Sequence, residues 1–324
     1  MRIMQMNMVS ALNDALGVIL KQDSKSVLLG EDIGKDGGVF RVTDGLQAKF
    51  GEDRVMDTPL AESGIIGASI GMAMAGLHPI AEIQFAGFMY LGFDQLVSHA
   101  ARYRMRTRST LKVPMIVRTP VSGGVRALEH HSESPEALYA HIGGLIVVEP
   151  SGPYDAKGLL IAASKLEDPV LFLEPTKLYR LFKEEVPDGA YDVPIGKANV
   201  VKEGSKLTIV TYGTMVPVVK NVVESKKTDA EIIDLRTVNP LDETTILASV
   251  KKTTRLLIVH EAPLSFGVGA EIAARVAEKA IYDLEAPIMR VGSPSFPYPD
   301  PGYERFYVPT EKKVAEAIDK IMKE

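Results

Sequence analysis

The amino-acid sequence predicts an α/β protein of two domains, the first a parallel sheet with helices on both faces. Short apolar runs alternate with helical patterns along most of the chain, which is typical of parallel strands covered by helices. The length of 324 residues fits two domains. A stretch rich in proline and glycine interrupts the alternation. We therefore expect a first domain at 1–186, a linker at 187–200 and a smaller α/β domain at 201–324.

The first domain opens with an amphipathic helix, in which Leu12, Leu16 and Ile19 share one face at helical spacing. The run Ser26–Gly30 is short, apolar and followed by acidic residues and glycines, as expected of a buried parallel strand. The same two patterns predict strands at 79–85, 113–118, 145–150 and 169–173, and helices at 64–76, 93–106 and 156–166.

The second domain repeats this alternation on a smaller scale. Apolar runs bounded by polar residues predict strands, and amphipathic segments between them predict helices. The expected strands are 207–213, 231–235 and 256–261, and the expected helices are 216–224, 269–280 and 312–322.

Composition excludes several classes of function. The net charge of −5 provides no basic surface, so neither nucleic acid nor an anionic membrane is an expected partner. The sequence contains no cysteine, which excludes disulfides, thiolate zinc sites and a cysteine nucleophile. The N-terminal residues lack the apolar core of a signal peptide, and the longest apolar stretch, 64–79, is too short to span a bilayer. We therefore expect a soluble, cytoplasmic protein.

Two segments contain the candidate catalytic residues. Glu62 lies where a turn containing Pro59 enters an apolar helix, and taken alone such a carboxylate is most often a group favoured by the helix dipole. The polar loop 123–136 contains His130 and His131, and histidine exchanges protons near neutral pH. A merely solvated loop histidine is the alternative. A metal site is disfavoured because adjacent histidines diverge and no third ligand follows at suitable spacing.

Nine short motifs occur in order along essentially the whole chain: LGED at 29–32, GGVF at 37–40, DTPLAE at 57–62, AEIQF at 81–85, HSESPE at 131–136, DAKGLL at 155–160, DLRT at 234–237, HEAP at 260–263 and LEAP at 284–287. Together they resemble the beta subunit of the decarboxylating, first component of 2-oxo acid dehydrogenase complexes. The resemblance implies a transketolase-like, pyrimidine-binding domain followed by a transketolase C-terminal domain. It also implies that the protein depends on thiamin diphosphate.

The resemblance assigns roles to five residues. Glu62 matches the glutamate that contacts N1′ of the aminopyrimidine, where a donated proton activates the thiazolium carbon. This role requires a buried carboxyl that keeps its proton. His131 matches the catalytic histidine that acts on the substrate and in reductive acylation of lipoyl groups. Leu60, Gln84 and Phe88 fall where the family lines the pyrimidine pocket, and the ring of Phe88 can stack on the cofactor.

Further cofactors and partners follow from the same resemblance. The sequence lacks the Gly-Asp-Gly and downstream Asn that hold magnesium diphosphate in thiamin enzymes. The alpha subunit of an α2β2 heterotetramer would therefore hold Mg²⁺ and the diphosphate end of the shared cofactor. A lipoyl-bearing acyltransferase core would accept the acyl group. Asp168 lies near the region where relatives bind a structural monovalent cation such as K⁺, and no residue of this chain is assigned as a metal ligand.

Substrate class rests on three segments, at 131–137, 260–264 and 306–309. They resemble the branched-chain members more closely than the pyruvate members, so a branched-chain 2-oxo acid is the expected substrate. The alternatives within the family are the beta subunits of pyruvate dehydrogenase and acetoin dehydrogenase. His130 departs from the family, which often has a neutral or apolar residue at this position.

Three alternatives lie outside the family. A stand-alone transketolase-like half would act on phosphorylated sugars without a lipoyl partner. A non-catalytic scaffold would be marked by loss of Glu62, which is present. A hydrolase that uses His131 with Ser132 is disfavoured, because adjacent side chains rarely reach triad geometry and no nucleophile-elbow motif accompanies them.

Overall fold

The computed structural model describes residues 2–324 and contains a seven-stranded sheet, a five-stranded sheet and a two-stranded ribbon. The strands of the first half are β1 (Ile3–Met6), β2 (Ser26–Gly30), β3 (Val55–Asp57), β4 (His78–Glu82), β5 (Ile116–Val121), β6 (Ile146–Val148), β7 (Val170–Pro175) and β8 (Glu184–Pro187). Its helices are α1 (Met8–Gln22), α2 (Leu46–Phe50), α3 (Glu62–Met74), α4 (Tyr103–Arg106), α5 (Glu136–Ala140) and α6 (Pro153–Ala163).

The second half continues the alternation. Its strands are β9 (Asn199–Lys202), β10 (Thr208–Thr211), β11 (Glu231–Asp234), β12 (Thr237–Asn239), β13 (Leu256–Pro263) and β14 (Met289–Ser293). Its helices are α7 (Met215–Lys226), α8 (Glu243–Thr253), α9 (Val268–Ala280), α10 (Glu304–Tyr307) and α11 (Glu311–Ile321). The predicted α/β class is confirmed, and α8 is a helix that the sequence patterns did not predict.

The seven-stranded sheet has the order β12-β6-β7-β5-β4-β2-β3, and all of its strands except β12 run parallel to their neighbours. All residues of β2, β5 and β7 are buried, because helices cover both faces of the sheet. Leu12 and Leu16 of α1 pack with Leu159 of α6 in the apolar cluster on one face. Ile66 of α3 belongs to the cluster on the other face.

The predicted helix at 93–106 is interrupted. Its residues form a π-helical turn at Gln95–His99, a 3-10 turn at Ala100–Arg102 and the short helix α4. The carbonyl oxygen of Ala101 faces Gly144, where a Cβ atom would lie 2.0 Å from that oxygen. The interrupted segment therefore packs closely against the backbone at Gly144.

The five-stranded sheet has the order β14-β13-β10-β11-β9, in which only β9 is antiparallel to its neighbour. The two halves are also joined by hydrogen bonding between strands. β12 comes from the second half but pairs antiparallel with β6, so that Thr237 faces Val148. The expected linker, 187–200, runs from the last residue of β8 to the second residue of β9. The domain limits stay a prediction, since β12 crosses from one to the other.

Across residues 2–324, no helix combines the length and apolar character needed to cross a membrane.

Candidate active site

The candidate residues gather at the carboxyl ends of neighbouring parallel strands. Glu31 directly follows β2, Glu62 follows β3 after a short turn, and Gln84 lies just beyond β4. The loop that carries His131 follows β5. Ligands of α/β proteins bind at this edge of the sheet, so the topology alone brings four of the candidate segments together.

Glu62 is the first residue of α3 and is only 5% exposed. Its carboxyl lies near that of Glu31, which is also buried. Burial, together with the negative charges of Glu62 and Asp32, raises the pKa of Glu31. Two neighbouring carboxyls in a poorly solvated site resist simultaneous ionisation. The raised pKa of Glu31 and the burial of the adjacent Glu62 make these two carboxyls the candidate acid group of the site.

Gln84 connects two of these strand ends. Its side-chain amide donates a hydrogen bond of 3.3 Å to Oδ2 of Asp32, in the loop after β2. The same loop approaches Glu82, because a Cβ atom at Gly38 would lie 3.2 Å from Oε1 of that residue. Gln84 thus connects the Glu31–Asp32 turn to the aromatic residues that follow Gln84 in the chain, Phe85 and Phe88.

The rings of Phe85, Phe88 and His131 form an aromatic cluster. Phe85 meets the imidazole edge-on with centroids 4.3 Å apart, and Phe88 does so at 5.5 Å. Phe85 and Phe88 are themselves 5.7 Å apart. A Cβ atom at Gly87 would lie 2.5 Å from the carbonyl oxygen of His130, so glycine permits this close contact. The sequence analysis assigns no role to Phe85, although Phe85 ends the AEIQF motif at 81–85.

The structure distinguishes the two adjacent histidines. The side chain of His130 is 62% exposed and its Nδ1 lies 3.2 Å from Glu129. His131 is half-buried and packs against Phe85 and Phe88. The ring of His130 also lies 6.4 Å from that of Phe88, but only His131 has ring contacts with both phenylalanines.

Leu60 and Asp168 lie apart from this cluster. Leu60 is 76% exposed in the turn before α3, so within this chain it lines no enclosed pocket. Asp168 accepts a hydrogen bond from Nε of Arg104, and the two form a partly exposed ion pair. Across residues 2–324 no cluster of three or more metal-ligating side chains occurs. The expected K⁺ site near Asp168 stays a prediction.

Beneath the site lies a buried charged network that the predicted site did not include. Arg118 of β5 is 2% exposed, and its Nη1 donates a hydrogen bond of 2.6 Å to Glu82 at the end of β4. Glu174 of β7 accepts from the same guanidinium and also from the hydroxyl of Tyr179, at 2.6 Å. Burial and the charge of Glu174 raise the pKa of Tyr179. The sequence contained one signal for this network. Arg118 ends the apolar run 113–118, and a buried arginine requires acidic partners nearby.

The site has the groups that an aminopyrimidine ring requires. Glu62 offers a carboxyl to a ring nitrogen, Gln84 offers an amide, and Phe88 offers an aromatic face. Within residues 2–324, Oγ1 of Thr58 is buried and has no hydrogen-bond partner, and it lies four positions before Glu62 in the chain. A polar group left unpaired in this way is suited to bind a ligand. The residues present therefore fit the pyrimidine end of thiamin diphosphate.

Comparisons with known proteins agree with this geometry. Residues 4–181 match the family described as transketolase, pyrimidine binding domain, and residues 196–314 match transketolase, C-terminal domain. The pyruvate dehydrogenase E1 component subunit beta of Acholeplasma laidlawii is 50% identical over 319 residues, covering 98% of each chain. That of Staphylococcus epidermidis is 51% identical over 315 residues, covering 96% of this chain and 97% of the relative. A solved split-gene transketolase, described as an inactive beta4 tetramer, has a TM-score of 0.78 and 20% identity, covering 98% of each chain.

Proposed function

The chain belongs to the thiamin diphosphate-dependent family of 2-oxo acid dehydrogenase E1 beta subunits, and we propose that it forms the pyrimidine side of a shared active site. In this proposal the site carries out oxidative decarboxylation of a short 2-oxo acid and passes the acyl group to a lipoyl carrier. The observation that carries the proposal is the buried carboxyl of Glu62 at the strand ends, beside Glu31, whose neighbour Asp32 accepts a hydrogen bond from Gln84.

Glu62 is the group proposed to act on the cofactor. When bound, thiamin diphosphate supplies an electron sink for the charge left as carbon dioxide departs. Glu62 donates a proton to N1′ of the aminopyrimidine from a buried position beside Glu31. Gln84 and Phe88 orient the ring by an amide contact and an aromatic contact.

His131 is the group proposed to act on the substrate side. Its contacts with Phe85 and Phe88 fix the imidazole beside the proposed ring site, and a fixed histidine transfers protons efficiently near neutral pH. We assign it to proton transfer during acylation of the lipoyl group. His130 takes no part in this proposal, because its side chain points to the exposed side and is paired with Glu129.

A partner alpha chain completes the proposed site. The relatives are named as a subunit beta of an E1 component, which is consistent with an α2β2 assembly and a lipoyl-bearing acyltransferase core. Leu60 supports this arrangement, since a large apolar side chain lies 76% exposed two positions from buried Glu62, where a second chain would cover it. Mg²⁺ and the diphosphate end would be held by that second chain.

Pyruvate is the substrate that we propose first. The relatives from Acholeplasma laidlawii and Staphylococcus epidermidis are named for pyruvate, and the branched-chain preference expected from short motifs finds no support in them. Whole-chain identity of 50–51% weighs more than three short segments. Acetoin remains an alternative substrate within the same chemistry.

The test is a substrate panel on the chain co-expressed and purified with its alpha partner. Reduction of a dye acceptor is followed with pyruvate, 2-oxobutyrate, three branched-chain 2-oxo acids and acetoin, and a phosphorylated sugar donor tests the transketolase-like alternative. We expect the highest kcat/KM with pyruvate. A preference of tenfold or more for a branched-chain acid would restore the motif-based expectation. Turnover of the sugar donor alone would contradict the proposed function.

A further inference from the structure

The loop that carries His131, residues 122–136, is fastened by the second domain. The loop leaves the sheet after β5 and returns to α5, and the backbone N–H of Ser122 donates a hydrogen bond of 2.8 Å to the carbonyl of Glu133 to close its neck. Ser122 has a φ of 71° and Arg126 a φ of 60°, a backbone region that side chains other than glycine rarely adopt. A loop with such a backbone persists only where surrounding contacts hold it.

Glu261 of β13 makes the first of these contacts. Its Oε1 accepts a hydrogen bond of 2.5 Å from the backbone N–H of Gly123. Its Oε2 accepts one of 2.6 Å from the hydroxyl of Thr214, so the carboxyl is held from its own domain as well. Glu261 is 5% exposed, so water does not compete strongly for these hydrogen bonds.

Tyr298 makes the second contact. Its hydroxyl accepts a hydrogen bond of 3.0 Å from the backbone N–H of Gly124 and donates one of 2.8 Å to Oε2 of Glu304. The same Oε2 accepts from the backbone N–H of Arg126 at 3.0 Å. A Cβ atom at Gly123 would lie 2.0 Å from the Tyr298 hydroxyl, so the ring sits directly against the loop backbone.

The far end of the loop is held in the same way. The hydroxyl of Tyr212, at the end of β10, donates a hydrogen bond of 2.7 Å to Oε1 of Glu136, the first residue of α5. Both residues are buried. The second domain therefore binds both ends of a loop whose middle places His131 against Phe85 and Phe88.

We propose that Glu261, Tyr298 and Tyr212 are positioning residues that hold the His131 imidazole in place from the second domain. The inference rests on the proposed function for the role of His131. Glu261 and Tyr298 bind backbone N–H groups of the loop. These two contacts therefore fix the path of the loop backbone and do not depend on the side chains of the loop. The second domain then sets how well the imidazole is aligned.

The test uses Tyr298→Phe and Tyr212→Phe in the chain purified with its alpha partner. Each change removes one hydroxyl and keeps the ring. We expect a 10- to 100-fold loss of kcat for lipoyl acylation with little change in KM for the 2-oxo acid, because misplacement of a catalytic group lowers the rate of its own step. Tyr282→Phe is the matched control, since Tyr282 is fully exposed, and we expect it to retain normal turnover.

A double-mutant cycle with His131→Asn separates positioning from general stability. If Tyr298 acts through His131, adding Tyr298→Phe to His131→Asn costs no further activity. Additive losses, or normal turnover in both tyrosine variants, would overturn the inference. Hydrogen exchange of residues 127–132 decides the matter independently of activity. Faster exchange in Tyr298→Phe than in Tyr282→Phe is expected even if His131→Asn proves active, an outcome that would refute only the proposed role of His131. Unchanged exchange would refute the fastening itself.

Discussion

Arg118 and Glu174 form a two-pronged ion pair inside the first sheet, with Nε–Oε1 at 2.7 Å and Nη2–Oε2 at 2.9 Å. Glu174 is fully buried, and the third guanidinium nitrogen binds Glu82 at the strand end beside Gln84. Three neighbouring strands, β4, β5 and β7, are therefore linked below the candidate site by one cation and two anions. The ion pair thereby holds together the strands whose ends form the proposed ring site.

Replacement of Arg118 is expected to destabilise the protein strongly. Arg118→Met leaves two buried carboxylates without their counter-charge, which costs roughly 3–5 kcal/mol when one member of a buried pair is removed. Denaturant unfolding followed by circular dichroism measures the change. Arg104→Met is the control, because its partner Asp168 is partly exposed and such pairs contribute about 1 kcal/mol or less. Equal effects of the two changes would contradict a structural role for the buried pair.

Glu62→Gln is expected to abolish decarboxylation without loss of the fold. The amide occupies the same volume but has no acidic proton to donate to N1′, and general acid–base groups contribute on the order of 10²–10⁴ in rate. Dye-linked turnover of the assembled protein measures the loss, and the melting temperature checks the fold. Glu278→Gln, on the exposed face of α9, is the control and should turn over normally. Retention of more than about a tenth of the wild-type rate would exclude the role proposed for Glu62.

Cofactor affinity is expected to depend on the second chain. The pyrimidine-side residues of this chain contact only one end of thiamin diphosphate in the proposal, so most of the diphosphate binding energy is missing from the isolated chain. Titration calorimetry with Mg²⁺ present should give at least 100-fold weaker binding to the isolated chain than to the chain with its alpha partner, a difference of about 2.7 kcal/mol. Comparable affinity in the two samples would argue against a shared site.

The pH dependence of stability is expected to reflect the burial of Glu136. Burial raises the pKa of Glu136 from 4.5 to about 7, an effect that the hydrogen bond from Tyr212 partly opposes. The folded state thus binds the proton more tightly than the unfolded state. The stabilisation is complete below the unfolded pKa of 4.5 and is lost as pH rises to about 7.

Glu136→Gln removes this titration. The decrease in unfolding free energy between about pH 5 and pH 8 should then shrink by about 2–3 kcal/mol, measured by denaturant unfolding across that range. Asp234, whose pKa burial also raises to about 7, leaves part of the slope in place. Glu278→Gln should leave the slope as it is in the wild type. An unchanged slope in Glu136→Gln would show that Glu136 does not titrate in this range.

The regular elements of the fold could be predicted where the local pattern agrees with tertiary packing. The strand at 26–30 lies where its apolar run predicts, and Leu12 and Leu16 are fully buried on the predicted face of α1. The pattern at 93–106 predicts one helix, whereas the structure has a π-helical turn, a 3-10 turn and the short helix α4 there. Helix α8 escaped prediction because few strongly apolar residues mark its buried face, although the Asp242 carboxylate accepts from the N–H of Thr245 as a capping signal.

The site was predictable only in part. Whole-chain resemblance selects Glu62, Gln84, Phe88 and His131 as candidates, and the structure brings their segments to one edge of the sheet. Leu60 is exposed in the isolated chain, since its proposed cover lies on another chain. The supporting residues could not be deduced from spacing. Glu261 and Gly123, for example, are 138 positions apart, and only the arrangement of the two domains brings them into contact.

Strand β12 has a consequence for how this chain can be divided. Because it closes the β6 edge of the first sheet, cutting at the linker would leave Val147 and Val148 with unpaired backbone groups. An uncovered edge of this kind recruits strands from other molecules, so the excised first half should aggregate. The two halves are therefore not interchangeable modules. We therefore expect related proteins to inherit both halves together, even where their surface residues differ.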